Sequence, residues 1–290
     1  MKNLKKYLLA SLVSLSIISC SEDGIPVAND VTLEFNNTFG ATTIVLGDAT
    51  SAEATINTSV EGQVHHFEEL KYVISNIRLI DVEGNEFPYN VNNLDEGATI
   101  IDQSKTATLQ YVLTDIPSDE YTQIKFGLGV KSELNTLNEE QFPNFYAAAG
   151  ANDTEMHWEW GTGYRFTKIE GFYGTENNEL SFHSGSTVEG TSGEESTYTQ
   201  GVDAYRDITL DLSTSAVVGN NAPTIKIKAD FDKFLSGESN TITLVSTADI
   251  TNNATPSAHT ATEMMKFVDN IGGNGGTDIK GMFSVESVEN

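Results

Sequence analysis

The residues best suited to chemistry lie in one stretch, Met156-His157-Trp158-Glu159-Trp160-Gly161-Thr162-Gly163-Tyr164-Arg165-Phe166-Thr167-Lys168-Ile169-Glu170-Gly171, which holds both tryptophans and one of the five histidines. Imidazole is the commonest metal ligand among protein side chains at neutral pH. The chain has a single cysteine, Cys20, so a transition-metal site in its body must use histidine with methionine or carboxylate help rather than thiolate. The histidines are His65, His66, His157, His183 and His259. His65 and His66 are adjacent on a strand pattern, so only one of them faces inward. His183 ends the run Leu180-Ser181-Phe182-His183, and His259 sits in a polar loop. On residue type alone any of the five is a candidate metal ligand. Each also has an ordinary reading as a surface or hydrogen-bonded imidazole.

The tryptophan stretch admits two readings. Period-2 alternation puts Trp158, Trp160 and Tyr164 on one side and His157 and Glu159 on the other, with Gly161 and Gly163 marking a bulge or a close backbone approach. Such a strand reads as bent beside a pocket rather than as a plain core strand. The same face without a metal suits stacking on a glycan or similar ligand, and two tryptophans on one strand face are also ordinary core aromatics.

Other chemistries leave no trace. The chain has no Gly-x-Ser-x-Gly elbow, phosphate-binding loop, dinucleotide fingerprint, His-Glu-x-x-His helix or Asp-x-Asp-x-Asp-Gly calcium loop. Carboxylates are too abundant for a glycosidase-like pair to be located by spacing. Met264 and Met265 are adjacent, face different ways on a helix and read as core.

The elements that must position these residues read as mostly β. Val31–Phe35 alternates, and Thr42–Leu46 is a second short run. His66–Asp81 is a long strand with a bulge signal at Ser75-Asn76, and Glu83-Gly84-Asn85 is a hairpin turn leading to Phe87–Val91. Thr106–Leu113, Tyr121–Val130, Glu179–His183, Asp207–Leu212, Thr224–Phe231, Thr241–Val245 and Met282–Val288 continue the pattern. Short strands so regularly punctuated predict a sandwich or a barrel. Two helices are expected: Glu133–Ala149, broken by Pro143, and Thr260–Ile271, stopped by Gly272-Gly273. Ser184–Gly201 reads as an exposed loop.

Composition narrows the function classes. The chain carries 42 acidic against 16 basic residues, a formal net charge of −26. That balance argues against nucleic acid and anionic membrane surfaces as partners. At the N-terminus Lys2, Lys5 and Lys6 precede an apolar run, Leu8–Ile18, that is too short to span a membrane. The run ends Ile18-Ser19-Cys20, which resembles a bacterial lipoprotein lipobox. That resemblance implies cleavage before Cys20 and a diacylglycerol on its thiol, hence a membrane anchor and an outer-membrane lipoprotein of the cell envelope. Ser21-Glu22-Asp23 resembles the export signal of surface lipoproteins in the Bacteroidota. The expected organisation is a signal peptide over 1–19, an acidic tether over 20–28 and one domain over 29–290.

Several segments in order then resemble the MbnP-like family of exported copper-associated proteins. They are Val31–Phe35; Leu70-Lys71-Tyr72-Val73-Ile74-Ser75-Asn76-Ile77-Arg78-Leu79; Ile116-Pro117 through Tyr121; Phe126-Gly127-Leu128-Gly129-Val130; Met156–Gly171; Phe182-His183-Ser184-Gly185; and Pro223–Ile227. The resemblance implies an all-β fold, a β-sandwich of mostly antiparallel strands with two short helical insertions. It also implies copper held by histidines near a tryptophan that a partner dihaem peroxidase can oxidise. His157 and His183 match positions where relatives often carry histidine and, with His66, would be the metal ligands; Trp158 and Trp160 match the aromatic part and, with Tyr164, would form a wall beside the metal or a modification site. The protein would then be a metal carrier rather than an enzyme. The chain departs from the family at Asn37, where relatives often have histidine. It departs again after Met282-Phe283, where Glu286 and Glu289 stand in a tail that is often histidine-bearing.

Overall fold

The computed structural model describes residues 29–136, 139–150, 155–157, 163–191, 194–197, 199–245, 261–273 and 280–290. In chain order the strands are β1 (Asn29–Phe39), β2 (Thr42–Thr43), β3 (Asn57–Thr58), β4 (Val64–Asp81), β5 (Glu86–Tyr89), β6 (Thr99–Asp102), β7 (Gln110–Ile116), β8 (Glu120–Leu128), β9 (Thr167–Tyr173), β10 (Asn178–Ser184), β11 (Val188–Glu189), β12 (Thr199–Gln200), β13 (Arg206–Val217), β14 (Thr224–Asp230) and β15 (Phe283–Glu289). Four short helices join them: α1 (Leu94–Gly97), α2 (Pro143–Ala149), α3 (Phe231–Leu235) and α4 (Ala261–Ile271). Among the described residues no helix is long and apolar enough to cross a membrane.

The strands form a sandwich of mostly antiparallel sheets. The smaller sheet runs β15-β14-β1-β2, with β7 also on β1. The larger runs β10-β9-β4-β8-β13, with β3, β5 and β6 also on β4. The β1–β14 pair is parallel, Thr32 facing Thr224 through Thr38 facing Asp230. Alternation explains β1: Val31, Leu33 and Phe35 are buried while their neighbours are half-buried, the pattern of a sheet with one face on the core. Phe35 and Phe283 of the small sheet meet Tyr72 and Phe126 of the large one edge to face, with centroids 5.2–6.4 Å apart. Edge-to-face packing of this kind adds stabilisation beyond the buried area.

β4 is the spine. Its first half pairs with β9 and its second with β8, and a register shift separates the halves between Ser75 and Arg78, where Asn76 takes φ 49°. The bulge predicted at Ser75-Asn76 is therefore present, held by Ser75 Oγ donating to the Gly129 carbonyl at 2.6 Å.

Three local expectations are corrected. The helix expected from Glu133 forms only over α2, because proline starts helices well but does not sit inside them. Asp95 fixes that start by accepting the Phe145 N–H at 2.7 Å. β14 stops at Asp230 and Phe231 opens α3, a helix hidden in sequence by the continuous apolar pattern. The expected strand Thr241–Val245 is absent apart from an isolated Ser236–Thr241 bridge. There the Gln63 side chain plays the neighbouring strand, donating to the Leu244 carbonyl at 2.7 Å and accepting its N–H at 2.9 Å. The Ser184–Gly201 loop also carries the small β11–β12 hairpin.

Asp230 ties the two ends of the small sheet together. Its carboxylate accepts from the Gly40 N–H at 2.8 Å, closing the β1–β2 turn, and from the Asp232 N–H at 3.2 Å, capping α3. Asp230→Ala is expected to lower stability by about 1–2 kcal/mol, measurable as a reduced denaturation midpoint with an unchanged slope. A loss below about 0.3 kcal/mol would mean that the cap contributes nothing.

Candidate functional site

The described parts of the Met156–Gly171 stretch do not continue as one bent strand. His157 and Tyr164 form an isolated antiparallel bridge, so the segments at these two residues run in opposite directions. Thr167–Tyr173 then enters the large sheet as β9. Three bonds hold the reversal: Met156 N–H to the Ala149 carbonyl at 2.9 Å, Arg165 N–H to Met156 at 2.7 Å and Phe166 N–H to Ser184 at 2.7 Å. Asn135 Oδ1 accepts the Tyr164 N–H at 2.7 Å. The reversal overturns the expected alternation. Opposed residues of a bridge share a face, so Tyr164 lies on the His157 side, with ring centroids 5.5 Å apart.

Trp158 and Trp160 lie outside the described residues, as do Cys20, the expected signal peptide and His259. Tyr164 is fully buried, so it cannot supply a stacking platform for a glycan.

His157 is 4% exposed. Its ring packs on Tyr146 at 4.5 Å and on Tyr164 at 5.5 Å, and Phe145 closes on Tyr164 at 4.9 Å. The imidazole bonds to the backbone of Tyr146, whereas its Nε2 is buried with no hydrogen-bond partner. Nδ1–H donating to a carbonyl fixes the tautomer that leaves a bare lone pair on Nε2. Burial pulls the His157 pKa below its ordinary value, the Tyr146 bond opposes that, and the nearby Arg165 charge adds to it. The ring is therefore neutral at pH 7. Met156 and Phe145, the neighbours of this pair, line a cleft of about 420 Å³ whose other walls include Leu94, Ile100, Lys71 and Glu155.

His183 sits on β10 opposite Lys168 of β9. Its Nε2 lies 2.8 Å from Glu170 Oε1 and 3.1 Å from Ser181 Oγ. That bond, opposed by burial and helped by Lys168, draws the Glu170 carboxyl down to about 2. The imidazole thus belongs to a band of half-buried charges on the outer face of the large sheet. In that band Lys71 pairs with Glu69 at 2.7 Å, Lys168 with Glu69 and with Glu170 at 3.7 Å, and Arg165 donates to the Glu155 carbonyl. The band escapes a motif search but shows as charged residues at alternate positions, Lys168 and Glu170, along an otherwise apolar strand.

His66 is half-buried with Nδ1 unpartnered and faces Phe172. Four β9 positions separate it from the His183 register, about 13 Å along the sheet. The structure therefore does not gather His66 and His183 at one point, and among the described residues no group of three or more His, Cys, Asp or Glu side chains is arranged to hold a metal. His65, not His66, faces the core. It is 0% exposed, stacked between Phe39 and Phe67 at 6.3 and 6.5 Å, with both ring nitrogens unpartnered.

The positions where the chain departs from the family pattern are filled by other contacts. Asn37 is buried, accepting from the Tyr72 hydroxyl at 2.8 Å and donating to Gln103 at 2.8 Å. Glu286 accepts from Asn36, and Glu289 pairs with Lys226 at 2.7 Å. Both contacts lie on the small sheet, away from His157.

Sandwich and hairpin together define a β-sandwich protein with an aromatic-walled histidine beside its larger sheet. The chain belongs to the MbnP family, whose model matches residues 28–266. Among solved structures it is similar to MbnP from Methylosinus trichosporium, with 13% identity, 74% of this chain and 79% of that chain covered, and a TM-score of 0.46. No curated protein matches it.

Proposed function

We propose that the protein is an exported, lipid-anchored, non-catalytic copper-binding member of the MbnP family, with His157 as the residue around which the copper site is built. The single observation that carries this reading is the buried, unpartnered Nε2 of a neutral His157 whose tautomer is set by the Tyr146 backbone. A bare imidazole nitrogen in a dry aromatic setting costs folding free energy unless something binds there, and imidazole suits copper. The net charge of −26 favours cations near the surface, and the adjoining cleft offers a way in. Trp158 and Trp160 follow His157 directly in the sequence and would supply a wall or a modification site, and Cys20 carries the lipid. His183, held by Glu170, acts as a supporting group rather than the first ligand.

Copper analysis of the mature protein from its native envelope, followed by titration of variants, tests this. His157→Ala should weaken copper binding by at least the roughly 10–100-fold that loss of even an outer-shell partner causes, with little change in the melting of the metal-free protein. A His157→Ala protein that binds copper like its parent would remove the basis of the proposal.

A further inference from the structure

The His157 hairpin holds a second buried polar atom without a partner, the hydroxyl of Tyr164. Tyr164 faces His157 across the bridge, its ring 5.5 Å from the imidazole. It is 0% exposed, and its neighbours Phe145 and Phe166 are buried phenylalanines. Phenylalanine would fill the same space without stranding a hydroxyl, and a buried tyrosine ordinarily finds a partner for its O–H. Two orphaned polar atoms on facing residues of one bridge mark a site with two donors.

We propose that Tyr164 is the second protein donor of this site: as the ion binds, the phenol O–H breaks, its proton passes to solvent, and the oxygen lone pair forms the bond to copper. The inference rests on the copper reading above. A phenol ordinarily titrates near pH 10, so at pH 7 it still carries the proton to be released. A proton released by the parent and not by Tyr164→Phe therefore reports the tyrosine.

The test is a titration with a copper(II) salt of the full mature chain, its Tyr164→Phe variant and its His157→Ala variant, following visible absorption and proton release. The parent should develop a phenolate-to-copper charge-transfer band and release one proton per ion, with affinity rising about tenfold per pH unit. Tyr164→Phe should melt no lower than its parent, keep weaker binding through His157, and lose both the band and the proton. If Tyr164→Phe reproduces the parent's spectrum and proton count, the tyrosine is not a ligand and the copper reading stands without it. If the parent itself takes up no copper, the copper reading falls and this inference falls with it.

Discussion

Acidification from pH 6.5 to 4 is expected to remove about 3 kcal/mol of folding free energy through His65 alone. Burial, and secondarily the charge of His66, pulls the His65 pKa from 6.5 down to about 4. The unfolded chain binds this proton with an ordinary affinity, so between those pH values the unfolded state holds more protons than the folded one. Stability is then complete above pH 6.5, declines by about 1.4 kcal/mol per pH unit below it and levels off near pH 4. The structural cause is plain: the imidazolium would lie between Phe39 of one sheet and Phe67 of the other with no acceptor for either N–H. The Glu170–His183 bond loses its contribution lower down, as pH falls from 4.5 to about 2, so the two windows overlap only between about pH 4.5 and 4. Denaturation midpoints measured every half pH unit should show the upper decline in the parent. His65→Phe and His65→Leu should lose most of it, keeping only the share that the lowered His157 pKa contributes, and at pH 7 they should not be less stable than a cavity or overpacking cost requires. A parent whose stability is flat from pH 6.5 to 4 would contradict the account.

Gly171→Ala is expected to be more damaging still, by on the order of 4 kcal/mol or more, the range of severe backbone or packing conflicts. Gly171 lies in the middle of β9, opposite Phe67 on β4 and Leu180 on β10. A methyl group there would stand 2.0 Å from the His66 carbonyl oxygen and 2.9 Å from the Phe67 Cα. Backbone flanked by strands on both sides cannot retreat cheaply, and any shift also moves His65 in its stack. Gly84 supplies the control. It has φ +87° in the β4–β5 turn with nothing within 4 Å of an added Cβ, so Gly84→Ala should cost only about 1–2 kcal/mol, for the left-handed backbone. Equal melting temperatures for the two variants would show that the close approach at Gly171 is not a constraint.

These two positions also show what the sequence could and could not disclose. Half-buried strands such as β1 and β14 declare themselves because every second side chain meets water. Gly171 reads merely as a glycine inside a strand; its necessity comes from the β4 bulge between Phe67 and Glu69, more than a hundred residues earlier. Adjacent histidines allow only one inward ring, and Phe67 two places on from His65 is the cue that selects it; without pairing information His66 is the more natural ligand. The His157–Tyr164 reversal is hidden for a different reason. Gly161 and Gly163 fit a bulged strand as well as a turn, and alternation carried across a reversal assigns Tyr164 to the wrong side. Tyr146 is absent from any motif because its bond to His157 comes from its backbone, which carries no residue signature.

The parallel partnership of β1 and β14 has a consequence in time. β1 is among the first described elements made, yet the strand that completes its long edge begins at residue 224, facing Thr32. At ordinary synthesis rates of 5–20 residues per second, the chain grows for roughly 10–40 s with that edge open. No local hairpin can close it, since β7 occupies the other edge of the same half of β1. Long-range pairing of this kind makes folding slow and leaves the core to assemble only once β14 has been made. A nascent chain that stays unfolded until residue 224 has been made is a chain that can still be threaded through a pore. A product truncated before β14 would keep an apolar strand permanently unpaired, and aggregation rather than mere instability is its expected fate.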